Sequence, residues 1–142
     1  MHMQHVNVYT VSGIRSPRPT SGTAGFILEL RTEKGPATLT KTAEIQDATA
    51  NQSELRILNM ALQRLAVSCC LTIYTESAYV AAGLNELTRW KRNGWKTSRG
   101  TDVANKEEWL KTAELLNAHM FSVTTENHEY RAWLRNEVTR KE

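Results

Sequence analysis

The chain has 142 residues, a formal charge of +3 and a pI near 9.0, a length that suits one compact domain spanning 1–142 with a core needing no disulfide or metal. The charge is only a mild bias towards polyanions. The polar start Met1-His2-Met3-Gln4-His5 lacks a signal-peptide pattern, no apolar run is long enough to span a membrane, and the adjacent Cys69 and Cys70 suit a reducing compartment, so a soluble cytoplasmic domain is expected.

Taken in order, His5 to Val11 alternates as a strand, and Ser12 to Gly25 reads as a turn-rich connection. Phe26 to Leu30 is a second strand. Glu33-Lys34-Gly35-Pro36 signals a tight hairpin into a third, threonine-rich strand from Ala37 to Ile45. A helix begins near Ala50 or Asn51, with Leu55, Leu58, Leu62 and Leu65 at steps of three and four. The β-branched run Leu71 to Thr75 is the next strand, and it places Glu76 at a strand's carboxyl end, where ligands gather in open α/β sheets.

The small and apolar residues Ala78, Val80, Ala81 and Ala82 lead a helix into a segment carrying tryptophan and basic side chains. Ser98 to Asn105 is a polar loop. Glu107 to Leu116 forms a helix with Trp109, Leu110, Ala113 and Leu116 inward, His119 to Thr124 a last strand, and Glu126 to Arg140 a terminal helix with Tyr130, Trp133, Leu134 and Val138 on its packed face. The order βββαβααβα predicts an α/β domain with a mixed sheet: three antiparallel strands, then two parallel additions.

Between Arg89 and Lys111 basic residues outnumber acidic ones, and Trp90 and Trp95 lie among them. A basic stripe with tryptophans suits a phosphate backbone; a solvated helix face is the plain alternative.

Three segments in register carry a family resemblance: Thr49-Ala50-Asn51-Gln52-Ser53-Glu54-Leu55, Tyr74-Thr75-Glu76-Ser77-Ala78-Tyr79-Val80, and Trp90-Lys91-Arg92-Asn93-Gly94-Trp95-Lys96-Thr97-Ser98, followed by Asn105 to Trp109. Together they resemble type 1 ribonuclease H. That resemblance implies a five-stranded mixed sheet flanked by helices and, in the family, cleavage of the RNA strand of an RNA–DNA hybrid by two divalent ions held on four carboxylates. Hard Mg²⁺ or Mn²⁺ takes oxygen ligands, and paired ions clamp the attacking and leaving oxygens.

Carried over residue by residue, Glu54 matches the acid of the first helix and Glu76 that of the fourth strand, so these two are the candidate metal ligands and catalytic remnants. The first-strand acid falls on Val11, which offers no oxygen. The fourth falls on Arg131, a cation where an anion is expected. An ion pair of Arg131 with Glu54 or Glu76 in place of metal is therefore expected, with no cofactor. The family's mobile histidine is missing, and His119 and His128 are read as ordinary surface or strand-end residues. The expected function is a nucleic-acid-binding or interaction module, with a protein partner open. The alternative is an active nuclease with rearranged ligands, using Glu129 or Asp47 beside Glu54 and Glu76 with Mg²⁺ or Mn²⁺.

For recognition, the resemblance implies that Thr49 and Asn105 hold a DNA phosphate and that Asn51, Lys91, Arg92, Trp95 and Lys96 line the nucleic acid. Asp47 and Ala50 depart from the family's phosphate-pocket arginine and 2′-hydroxyl-reading asparagine, which weakens the expected discrimination for hybrid. Thr49 and Asn105 also read as helix caps, and Trp90 and Trp95 as packing residues. Trp109 and Trp133 are expected in the core.

Overall fold

A computed structural model describes residues 3–140; Met1 and His2 of the polar N-terminal run lie outside them. Strands β1 (Gln4–Ser12), β2 (Thr20–Thr32) and β3 (Gly35–Ala48) are followed by α1 (Ala50–Leu62), β4 (Cys69–Tyr74), α2 (Ala78–Leu84), α3 (Leu87–Arg92), α4 (Lys106–Leu116), β5 (Met120–Thr124) and α5 (Arg131–Arg140). The five strands form one mixed sheet in the order β3-β2-β1-β4-β5, with β1-β2-β3 antiparallel and β4 and β5 parallel to β1. This is the predicted architecture.

Several boundaries differ from the sequence reading by a few residues, α1 ending at Leu62 short of the expected Leu65, and three differences are larger. The connection expected over Ser12 to Gly25 is shorter, because β2 starts at Thr20, where β-branched and small residues pair with the end of β3 despite their turn-like composition. The helix expected through Ala78 and the basic segment is two short ones, α2 closing at Asn85 and α3 opening after Glu86. The terminal helix starts at Arg131, five positions beyond Glu126, because residues 125–130 cross the sheet first, with His128 and Tyr130 packed on Tyr9.

Alternation along the strands divides the interior. Val6, Val8, Phe26, Leu28, Leu71 and Ile73 face α1, α2 and α4 with Leu55, Leu58, Trp109 and Leu116, whereas Tyr9, Val11 and Ile27 face α5 with Leu134 and Val138. Trp109 is wholly buried, as expected. Two inward assignments fail: Trp133 is 50% and Leu110 39% exposed. Their neighbours Leu134 and Ala113 take the buried positions, and the α5 stripe is only as wide as Val11, Ile27 and Gly25 allow.

The α5 face also encloses a charge. Glu29 is fully buried and accepts hydrogen bonds from Asn7 Nδ2 (2.9 Å), Tyr9 Oη (3.0 Å) and Tyr130 Oη (2.5 Å). Burial alone would raise its carboxyl; the bonds from Tyr130, Asn7 and Tyr9, with Arg31 nearby, outweigh that and hold it below the ordinary range. The Tyr130 hydroxyl is correspondingly pushed up to about 12, mainly by its bond to Glu29. His128 is no ordinary surface histidine: its ring lies 4.3 Å from Tyr9 and 5.4 Å from Tyr74, centroid to centroid.

Candidate active-site remnant and nucleic-acid interface

The end of β1 is the junction of the site. The Ser12 hydroxyl lies 2.6 Å from that of Ser53 on α1 and accepts the backbone N–H of Ile14 at 3.0 Å. These buried bonds fix the first turn of α1 against the strand end, which brings Glu54 beside Glu76 at the end of β4. Both carboxylates line one pocket of about 220 Å³ with Ser12, Arg15, Asn51, Ser77 and Arg135. The Glu54 carboxyl is raised from the ordinary 4.5 to about 7, first through burial and then through the Glu76 charge, with Arg135, Arg15 and a backbone hydrogen bond from Ser12 opposing the rise.

Glu76 does pair with arginine, and the principal partner is one the sequence reading missed. Arg135 Nη2 donates to Glu76 Oε1 while Arg135 Nη1 donates to the Ser12 carbonyl at 2.7 Å. Arg131, the expected partner, reaches only 4.0 Å from Glu76 Oε2. Its Nη2 instead donates to the carbonyls of Thr125 (3.2 Å) and Glu126 (2.9 Å). No Glu54–Arg131 ion pair occurs among the described residues, and Glu54 Oε2 and Arg131 Nε are buried without a hydrogen-bond partner. A signal for Arg135 existed: it lies four residues after Arg131, on the same face of the helix. Arg15 was masked by its place in a proline-flanked connection.

This donor set does not fit a two-ion centre. Val11 is fully buried among Leu134 and Val138, Glu76 is committed to guanidinium groups, and no group of three metal-ligating side chains occurs among the described residues. Glu129, offered as a substitute ligand, pairs with Arg31 at 3.3 Å. Asp47, near the end of β3, takes a left-handed backbone conformation (φ 51°) and donates its backbone N–H to the Ser21 hydroxyl; neither lines the pocket.

The proposed recognition residues are largely occupied within the fold. Thr49 is the N-cap of α1, its hydroxyl accepting Gln52 N–H at 3.2 Å while the Gln52 side chain returns to Thr49 N–H at 3.1 Å. Asn105 precedes α4 in a left-handed conformation and makes no side-chain cap bond. Its side chain spans the helices instead, accepting from Gln52 Nε2 at 3.2 Å and donating to Tyr79 Oη at 2.9 Å. Trp109 Nε1 donates to the same Tyr79 oxygen at 3.0 Å.

Trp95 is half-buried against the core at a positive φ of 64°, with its ring 6.1 Å from Trp90. Both tryptophans therefore pack. Lys96 pairs with Asp102 at 2.6 Å, Lys106 shares Asp102 at 3.7 Å, and Lys91 donates to Asn117 at 3.1 Å. Arg92 and Asn51 are exposed.

A five-stranded mixed sheet in the order β3-β2-β1-β4-β5, with an acid on α1 and another just after β4 sharing one pocket, defines a ribonuclease H-like fold, and the chain belongs to the RNase H family, whose model matches residues 3–128. Among its relatives, the ribonuclease H of Francisella tularensis subsp. novicida is 44% identical over 75 residues, 52% of this chain and 49% of that protein. The match thus spans about half that relative's length. The ribonuclease H of Rhizobium etli is 36% identical over 118 residues, 82% of this chain and 75% of the relative. The crystal structure of LC9-RNase H1, a type 1 RNase H with the type 2 active-site motif, superposes with a TM-score of 0.72 at 18% identity, over 99% of this chain and 71% of that one. LC11-RNase H1 in complex with RNA/DNA hybrid gives 0.58 at 23% identity, over 96% and 97%. At these identities the structures speak for the fold.

Proposed function

We propose that this ribonuclease H-like domain, a single unit over 1–142, binds nucleic acid in the cytoplasm and does not cleave it. The observation that carries the reading is the Arg135 guanidinium bound to Glu76 and to the Ser12 carbonyl, in the pocket that the two remaining acids share. A guanidinium there supplies charge but neither activates water nor exchanges ligands as a metal ion does. Val11 adds no oxygen at the strand end. The groups offered to a hybrid or duplex are Arg92, Lys91, Lys96 and Asn51, with the Trp90–Trp95 pair as their rigid base. LC11-RNase H1 was solved with an RNA/DNA hybrid, which favours the same ligand class here. Among the described residues, no helix is long and apolar enough to cross a membrane.

The second reading, an active hybrid endoribonuclease using Mg²⁺ or Mn²⁺, is favoured by the ribonuclease H name of both relatives. Pure protein incubated with hybrid, duplex RNA and duplex DNA in either ion separates the two. No cleavage is expected with any substrate. Hybrid cleavage that disappears on Glu76→Ala establishes the second reading.

A further inference from the structure

We propose that the pocket between the ends of β1 and β4 seats a backbone phosphate of nucleic acid directly on Arg15 and Arg135, with no divalent cation between protein and phosphate. This rests on the nucleic-acid-binding reading and names the seat within it.

The charge balance comes first. Four carboxylates, as the family carries, repel a phosphodiester until metal ions invert the field. Here Arg15 and Arg135 line the pocket against Glu54 and Glu76, and Arg131, outside the lining, adds a third cation 4.0 Å from Glu76, so the acids are already offset by side-chain cations before anything binds. The sign that metal would provide is already built from side chains.

The donors come second. Arg135 commits one N–H to Ser12 and one to Glu76 and retains three of its five, with about a quarter of its side chain exposed, 24%. Arg15 is exposed at the pocket's rim and makes no hydrogen bond or ion pair among the described residues, so its planar fork is free for bidentate contact with phosphate. Ser77 accepts Val80 N–H through its hydroxyl oxygen at 3.1 Å, which leaves its hydroxyl proton to donate, and Asn51 also lines the pocket. A pocket of about 220 Å³ has room for a phosphate group with water.

Fixation comes third. Arg135 is held from two sides, by the strand-end carbonyl and by Glu76, so Glu76 acts here as a positioning residue for the guanidinium. Arg131 contributes charge but has less hydrogen bonding to give, because Thr125 and Glu126 hold its Nη2.

Anisotropy of a labelled RNA–DNA hybrid, titrated with the 142-residue protein at several salt concentrations in Mg²⁺ and in EDTA, tests this. Affinity is expected to be the same in both to within about twofold, and Arg15→Ala to weaken it about tenfold while flattening the log K against log salt slope by about 0.9. Arg15 is exposed and unpartnered, so misfolding does not cloud that variant. Calorimetric titration of Mn²⁺ into protein alone is expected to show no saturable site. Affinity that collapses in EDTA, a saturable Mn²⁺ site abolished by Glu76→Ala, or wild-type binding by Arg15→Ala each overturns the proposal. If Lys96→Glu weakens binding and Arg15→Ala does not, nucleic-acid binding stands and the phosphate seat falls. No binding to hybrid or duplex at low salt removes both.

Discussion

Arg135 holds the carboxylate of Glu76 from a position one helical turn beyond Arg131, and the same guanidinium bonds the Ser12 carbonyl at 2.7 Å. The contact ties α5 to the ends of both β1 and β4. It therefore bears on stability as well as on the chemistry of the pocket.

Arg135→Met leaves the Ser12 carbonyl without this donor and Glu76 with only the 4.0 Å contact to Arg131. Because both side chains are about a quarter exposed, the expected loss is moderate, about 1–2 kcal/mol by urea unfolding. A double-mutant cycle with Glu76→Gln is expected to give a coupling of about 1 kcal/mol. A coupling near zero would show that the pair is incidental.

On the proposed reading, an acid placed at Val11 is not expected to create a metal centre. Val11 packs against Leu134 and Val138, so Val11→Asp buries a carboxylate and is expected to cost about 2–4 kcal/mol. Thermal melts in Mn²⁺ and EDTA should coincide for this variant as long as Arg135 is present. A Mn²⁺-dependent rise in Tm would contradict the donor-set argument.

The pH dependence of stability has two opposing parts. Glu54 is raised from 4.5 to about 7 by burial and Glu76, so between those values the native state binds more protons and stability falls as pH rises. His128 is lowered from 6.5 to about 4 by burial and Arg131. Over that interval the unfolded state binds more protons, and stability rises with pH. The two slopes offset each other between about pH 4.5 and 6.5. In denaturant melts across this window, Glu54→Gln is expected to unmask the rise and His128→Phe the fall. Parallel profiles for wild type and both variants would refute the assignment.

Gly83 lies on α2 against the indole of Trp109, and a Cβ there would overlap the ring itself. Gly83→Ala is expected to destabilise by about 2–3 kcal/mol despite alanine's better helix propensity. Near-ultraviolet circular dichroism should show a change in the Trp109 environment. An unchanged spectrum with unchanged stability would mean that α2 shifts freely.

Asp102 neutralises Lys96 and shares Lys106, and these contacts hold its carboxyl below the ordinary range, Lys96 first. Asp102→Asn frees both lysines. On the proposed reading, hybrid affinity at low salt should rise about three- to tenfold, with a steeper salt slope. Unchanged affinity would return Lys96 to the role of a solvated side chain.

Some of this was written in the chain itself. The succession of strands and helices, the α1 face through Leu55, Leu58 and Leu62, and the burial of Trp109 follow from periodicities of two and 3.6 that short-range sterics and apolar burial enforce, and the five-stranded mixed sheet is what the resemblance to ribonuclease H implies. Glu54, Glu76, Val11 and Arg131 were found because motif spacing fixes position along the backbone.

Partner choice was not legible in that way. Which arginine meets Glu76 depends on where α5 begins, and that is decided by His128 and Tyr130 packing on Tyr9 and by Tyr130 bonding to Glu29, residues far apart in sequence. The same crossing segment takes up Arg131 through the Thr125 and Glu126 carbonyls and leaves Arg135 for the pocket. Sequence alone determined the fold class and placed Glu54 and Glu76 at candidate positions; the tertiary structure decided which cation binds Glu76, because a guanidinium's reach is set by helix register against the sheet.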